Sequence, residues 1–340
     1  MKLFVARADL SGIPRERAHQ NWNKWHRMDR IECVRVARVV AEATIPGKPI
    51  REVINRIMIE SGLDLNSAIG LLGERNKLKD LVKDLRLRPK KALTRREHEH
   101  ELRLLSMRGR PKPEFGQGFC DAGTLERRVI KMMNDLPPRC CVLFLGDDDM
   151  TSPLLSVCTD WKLTVVHIDE ELLARIRRFC TDAGSSVETV KVDLRKGIPE
   201  SLIDKYDAFF CDPPGTSSGV MLFVSQGALA LSKEAGRGYV NIPTSHLGKR
   251  YLKVQKLANR AGMAIREIIP AFNRYDLTEE EIERYADTEG LSPKVRTILM
   301  NSAQSFSDLL VLQKMKDHIL RNPQPSHFFG RRLNIFDYYE

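Results

Sequence analysis

Apolar positions change their spacing near residue 140. Beyond it, short apolar runs recur, each followed by a turn and then by a helical period. Val142–Leu145 runs straight into Gly146, which predicts a buried strand ending in a tight turn. Leu163–Ile168, Val187–Val192, Tyr206–Cys211 and Gly238–Ile242 repeat the pattern, and Ala264–Pro270 and Leu309–Gln313 complete a set of seven strands. Glu170–Ala183 carries helical periodicity between two of them. Alternating strands and helices predict an α/β fold, a Rossmann-like seven-stranded sheet of the methyltransferase type. It is expected to be doubly wound, with parallel strands and ligands at their carboxyl ends.

The front of the chain has a different pattern. Residues 1–30 are polar, with Trp22, Trp25 and His26 among arginines and little periodicity. Ile31–Thr44, Ile50–Ser61 and Asp64–Gly73 have helical spacing, punctuated by Gly47-Lys-Pro49, Gly62 and Gly73. Thr94–Met107 predicts a further, charged helix. Short helices with tight turns fit a smaller, mainly helical, winged-helix-like domain over 1–110. Arg110-Pro-Lys-Pro113 reads as the linker to a catalytic domain over 111–340. The loop Phe115–Thr124 then feeds a helix, with Thr124 as its cap and Leu125–Met133 as its body. Such a loop either folds over a cofactor or simply connects.

Charge sharpens this division. Of the net +10, residues 1–112 hold 26 Lys+Arg against 14 Asp+Glu, whereas the remainder holds 29 against 31. The two parts therefore do different work. The basic front third admits nucleic-acid contact, or a solvated helical face serving as lid or dimerisation element. No zinc finger, RNA-binding sheet motif or recognition-helix signature accompanies the charge, so nucleic acid is not the expected partner. No apolar run reaches 18 residues, so no membrane helix is expected. Met1–Asp9 acquires charge too soon for a signal peptide. The seven cysteines form no Cys-x-x-Cys pair, which suits a reducing, cytoplasmic setting and argues against a cysteine zinc site.

The chemistry gathers at the strand ends. Nucleotide and S-adenosylmethionine sites usually continue the first turn with glycines, whose N–H groups meet phosphate or carboxylate. Here Gly146 is followed by Asp147, Asp148 and Asp149. Three carboxylates repel an anionic ligand and attract a cation. The plainer alternative is an acidic turn that caps the next helix. Asp169, with Glu170 beside it, ends the second strand, where an acid takes ribose hydroxyls. Asp193 ends the third and is placed to accept from an adenine amino group. Asp212-Pro-Pro-Gly215 ends the fourth, with two prolines fixing the backbone around Asp212. Similar turns in amino-methyltransferases carry an aromatic residue where Gly215 stands, which argues against a nucleobase substrate. Decarboxylated S-adenosylmethionine presents an amine and a sulfonium but no carboxylate, so an acidic turn suits it better than S-adenosylmethionine. A protonated amine acceptor needs a site that binds a cation and then takes its proton, and clustered carboxylates do both.

These residues resemble the branched-chain polyamine synthases, the N4-bis(aminopropyl)spermidine synthase family. The likeness lies in Gly146–Ser152, His167–Glu170, Val192–Lys196 and Asp212–Pro214, and extends to Pro111–Gln117 and Ile268–Tyr275. It implies aminopropyl transfer from decarboxylated S-adenosylmethionine to spermidine, with methylthioadenosine as product, a homodimer and no metal. It implies Asp148 as the catalytic residue. The co-substrate residues it implies are Gln117, Gly146, Asp147, Asp149, Asp169, Glu170, Asp193, Leu194 and Asp212. Asp148, Asp212, Pro213, Pro214 and His246 are the implied acceptor residues. Four features depart from the family pattern: Gly215 follows Asp-Pro-Pro in place of an acid, Thr244-Ser-His246 follows strand five, Arg331–Glu340 replaces an acidic tail, and the front third has no Cys-x-x-Cys. The acceptor therefore stays open among amines. Two other readings stay open: an S-adenosylmethionine-dependent N-methyltransferase acting on a small amine, and a nucleic-acid-binding protein with a degenerate sheet domain.

Overall fold

The computed structural model describes residues 36, 38–39, 54–55, 57–58, 90–112, 115, 117–232, 236–277, 279–288, 290–302 and 304–315. The side chains at 245, 246, 280, 281, 284, 285, 288, 299, 301 and 302 are outside this description. Most of the expected front-third helices, the basic run before residue 90 and the tail 331–340 also lie outside it.

Packing divides the chain into two units, residues 1–91 with 130–138, and residues 92–129 with 139–340. In the first, Val36, Val39 and Ile57 are buried and Arg38 donates to the Leu136 carbonyl at 3.2 Å. Asn134 pairs with Lys90 through both its amide atoms.

The second unit opens with helix α1 (Arg95–Met107). Its start is a reciprocal cap. The Thr94 hydroxyl accepts from the Glu97 N–H, and the Glu97 carboxylate takes the Thr94 N–H. Helix α2 (Ala122–Asp135) starts ahead of the expected Thr124 cap. Asp121 accepts from the Thr124 N–H at 2.7 Å instead, because a carboxylate suits the positive end of a helix better than a hydroxyl. Thr124 is left in the first turn, its hydroxyl accepting from Arg274 N at 2.9 Å.

The sheet strands are β1 (Cys141–Leu145), β2 (Lys162–His167), β3 (Glu188–Lys191), β4 (Ala208–Cys211), β5 (Arg237–Ile242), β6 (Met263–Asp276) and β7 (Gln304–Lys314). Their order is β3-β2-β1-β4-β5-β7-β6. The first five are parallel, as expected. The expectation of a parallel sheet fails for the last pair. Strand β7 lies between β5 and β6 and runs antiparallel to both. Two helices, Glu279–Thr288 and Pro293–Ser302, link β6 to β7 and return the chain at the end of β6 where it left, so β7 runs back along β6. Strand β6 also continues past the expected stop at Pro270, through a bulge between Ile269 and Asn273. Pro270 cannot donate to a ladder, and a bulge on an edge strand accommodates it.

Helix α3 (Thr151–Cys158) follows β1, α4 (Glu170–Ala183) follows β2 and α5 (Ser217–Ala230) follows β4. Strands β4 and β5 are buried throughout, and α5 is apolar and buried on nearly every side. The ring of Phe209 fills the space left by two glycines. A Cβ at Gly227 would meet it at 2.6 Å, and one at Gly238 at 2.5 Å. We therefore expect Gly238→Ala to cost about 1–3 kcal/mol through overpacking. A urea midpoint equal to the wild type would show that the ring has room to retreat.

Crossovers leave β1 and β4 toward opposite edges of the sheet, which opens a crevice at their carboxyl ends. Leu145 pairs with Cys211 across these strands. The residues that follow, Gly146 and Asp212, are thereby brought to the same crevice.

Candidate active site

Gly146 turns the chain at φ 71°, a left-handed conformation that a side chain would strain, and its N–H donates to the Val166 carbonyl at 2.9 Å. The three aspartates that follow have three different environments. Asp147 is buried and accepts from the N–H groups of Thr151 at 2.8 Å and Ser152 at 2.9 Å. It caps α3, and burial outweighs those two donors to push its carboxyl up to about 7. The capping alternative thus describes this one member of the triplet.

Asp149 is buried too. It accepts from Cys120 N at 2.7 Å and from Arg128 Nη1. Burial alone would raise its carboxyl, but the guanidinium groups of Arg128 and Arg108 outweigh that and hold it below the ordinary range. Asp148 is half-exposed, and its Oδ2 accepts from Gly118 N at 3.2 Å. Among the described residues it has no ion-pair partner. Burial comes first, and the charges of Asp149 and Asp212 follow, in lifting its carboxyl well above the ordinary range. The three positions therefore differ in role: Asp147 caps a helix, Asp149 pairs with arginine, and Asp148 keeps a carboxyl of high proton affinity.

Arg128 organises the acids from the first turns of α2. Its side chain is 1% exposed, and a charge so buried persists only when paired. Nη2 donates to Asp212 at 2.6 Å and to the Tyr275 hydroxyl at 3.1 Å, while Nε donates to Asn273 Oδ1 at 2.8 Å. The guanidinium lies 5.3 Å from the Phe210 ring centre and 5.9 Å from that of Tyr275. The Tyr275 hydroxyl also donates to Asp212 at 2.7 Å. Burial raises the Asp212 carboxyl and Asp149 adds to the rise, against the opposing pull of Arg128. Arg108 braces the other side, donating to the carbonyls of Asp149 at 3.1 Å and Cys120 at 2.6 Å. Pro213 and Pro214 are buried beside Asp212, and Thr216 then caps α5 by accepting from Gly219 N at 3.0 Å.

At the end of β2, Asp169 caps α4 by accepting from Glu171 N at 3.0 Å. Lys112 and Gln117 also reach its carboxylate. Burial would raise Asp169, but the Lys112 ammonium and these donors hold it low. His167 accepts the Asp169 N–H at 2.8 Å through Nδ1, and burial keeps its ring neutral, with a pKa of about 4. Glu170 points outward to Arg177 at 2.7 Å. Asp193 ends the segment after β3 and holds Arg195 through its backbone and side chain, while Leu194 is buried in the core.

Comparison with known proteins decides the family. The model of the branched-chain polyamine synthase A C-terminal domain matches residues 100–321. The chain belongs to the branched-chain polyamine synthase family. Among similar proteins, an uncharacterized protein of Methanocaldococcus jannaschii is 38% identical over 139 residues, 41% of this chain and 35% of that one. The N(4)-bis(aminopropyl)spermidine synthase of the same organism is 35% identical over 179 residues, 51% of each chain. The match thus spans at most about half the length of these relatives. The fold is that of the branched-chain polyamine synthase from Thermus thermophilus, solved in complex with N4-aminopropylspermidine and 5′-methylthioadenosine. The TM-score is 0.64 and identity 21%, covering 90% of this chain and 92% of that one.

Within this family fold, Gly146, the three aspartates, Asp212, Pro213 and Pro214 meet at the crevice. Gln117 and Asp169 meet at the end of β2. Glu170 faces outward, and Leu194 is held in the core. His246 falls in the short helix Thr244–Leu247, but its side chain is outside the described set. Sequence reasoning missed Arg128, Tyr275, Arg108 and Lys112. Arg128 had a readable signal. Leu125, Val129 and Met132 form the apolar stripe of α2, and Arg128 sits inside it. Tyr275 carries no such signal, because only the continuation of β6 through the bulge brings it to Asp212.

Proposed function

We propose that this chain transfers an aminopropyl group from decarboxylated S-adenosylmethionine to an amine of a spermidine-like polyamine, releasing 5′-methylthioadenosine. The observation that carries this reading is the half-exposed Asp148 carboxyl, raised by burial and two neighbouring acids, at the crevice between β1 and β4. The acceptor nitrogen attacks the propyl carbon next to the sulfonium. A C–N bond forms, the C–S bond breaks, and its electron pair leaves with sulfur as methylthioadenosine. Asp148 takes the proton that the nitrogen must lose. Asp212, Pro213 and Pro214 line the acceptor side with His246. On the co-substrate side, Gly146 gives the turn its close approach, Asp147 and Asp149 fix its shape and charge, and Gln117 supports Asp169. Asp169 serves the ribose end and Asp193 the adenine end, while Glu170 is taken up by Arg177 and Leu194 by the core. The names of the relatives support this reading, as does the ligand pair in the Thermus thermophilus enzyme. The active species is a homodimer in a reducing, cytoplasmic compartment, working without a metal.

Mass spectrometry of products from an amine panel, with each sulfonium donor in turn, tests the reading. Aminopropylated polyamine from the decarboxylated donor is expected. Methylated amine from S-adenosylmethionine alone would replace aminopropyl transfer with methyl transfer. In the same protein Asp169→Ala should weaken methylthioadenosine binding by about 1.5–3 kcal/mol, the range for hydrogen bonds to a charged group. Unchanged affinity by calorimetry would remove Asp169 from the ribose site.

A further inference from the structure

Asp169 is the acid assigned to the ribose, yet it is only 5% exposed and its oxygens are fully engaged. Oδ1 accepts from Glu171 N at 3.0 Å and Lys112 Nζ at 3.1 Å. Oδ2 lies 3.0 Å from Lys112 Nζ and 3.4 Å from Gln117 Nε2. Gln117 Oε1 takes the Lys112 N–H at 3.0 Å, so these groups close a ring around the carboxylate. An ionised carboxylate offers about four lone-pair sites, and all are taken. A ribose diol brings two O–H donors and needs two of them. The Glu171 N–H is fixed by the first turn of α4. Gln117 contributes one long contact. Lys112 touches both oxygens, so its departure alone frees a site on each.

Lys112 also has somewhere to go. Its Nζ lies 2.7 Å from Glu171 Oε2 and 5.8 Å from the centre of the Phe115 ring. Arg175 holds Glu171 from its far side at 3.2 Å, so that second carboxylate stays in reach. We propose that Lys112 is a positioning residue of the nucleoside subsite: it holds Asp169 until a ribose arrives, then passes to Glu171 and leaves Asp169 to the diol. The inference rests on the nucleoside reading above and adds to it an internal competitor that sets the affinity.

The test is calorimetric titration of 5′-methylthioadenosine into the full chain, as wild type, Lys112→Met, Glu171→Gln and the double variant. Methionine keeps the length and apolar stem of the lysine. Lys112→Met should tighten binding about three- to tenfold, the gain when a competent fraction of about a tenth to a third becomes complete. Glu171→Gln should weaken it by about two- to fivefold, the scale of an exposed ion pair, because the displaced ammonium loses its second partner. With Lys112 absent, Glu171→Gln should change nothing, so the double variant should match Lys112→Met. A purely structural role for Glu171 would persist in that background. Weaker or unchanged binding in Lys112→Met overturns the proposal while leaving the nucleoside reading intact, as does an additive double variant. No binding by any of the four overturns both.

Discussion

Asp148→Asn is expected to slow turnover by about 10²–10⁴-fold, the usual contribution of a positioned general base, with methylthioadenosine affinity unchanged. Asparagine preserves the size of the side chain and can still accept from the Gly118 N–H. It removes only the proton acceptor and one negative charge. Loss of fold cannot account for the result. The folded Asp148 carboxyl lies above its ordinary range, so its ionised form opposes folding near neutral pH, and the opposition is relieved as pH falls. The amide removes that opposition, and the variant should melt no lower than the wild type. In the wild type, kcat/KM should rise with pH as Asp148 loses its proton, at a pH above the usual carboxylate range. That limb should vanish in the variant. Turnover within about threefold of the wild type would move the base to Asp212, a raised carboxyl of the crevice that, unlike Asp147, is not spent on capping α3. The geometry disfavours Asp212, since Arg128 and Tyr275 already donate to it at 2.6 and 2.7 Å.

The sheet was legible because buried parallel strands are mostly apolar: Val142–Leu145 is apolar throughout, and Leu163–Ile168 and Tyr206–Cys211 are interrupted only at Thr164, His167 and Asp207. Helix α4 was legible to its ends, where Asp169 caps one end and Gly184 closes the other in a left-handed turn. Strand β6 was only half legible. It alternates partly buried and exposed residues, and Pro270 reads as a stop unless a bulge is foreseen. The site followed the same division. Acids at strand ends were readable because topology places those ends together. The division of labour within Asp147–Asp149 was not, because it depends on which cation reaches which carboxylate. Arg128, Arg108 and Lys112 come from segments ahead of the sheet, and spacing along the chain does not say where such side chains point.

Arg128→Met should be the most destabilising change in the site, by about 3–5 kcal/mol, the cost of leaving buried charge unpaired. The guanidinium holds Asp149 and Asp212 together, and also donates to Asn273 and Tyr275. Methionine fills much of the volume but answers none of these acceptors. The pH dependence separates lost charge from lost packing. In the wild type Asp149 is held below its ordinary range, so its contribution is present at neutral pH and disappears as pH falls through that lowered value. Without Arg128, burial would outweigh what remains, Arg108 and the Cys120 N–H, and lift Asp149 above the range. Its ionised form would then oppose folding at neutral pH and be relieved on acidification. The stability gap between wild type and variant should therefore shrink from pH 7 to pH 5 in urea titrations. A packing defect would leave the gap constant. Arg128→Lys retains the charge but loses the planar fork that reaches two acids at once, and should fall between them. A gap below about 1 kcal/mol, under the cost of even one unsatisfied buried group, would mean that the acids are neutral already, and one that widens on acidification would mean that Arg128 does not hold Asp149 low. The separation of roles within the aspartate triplet would then need another cause.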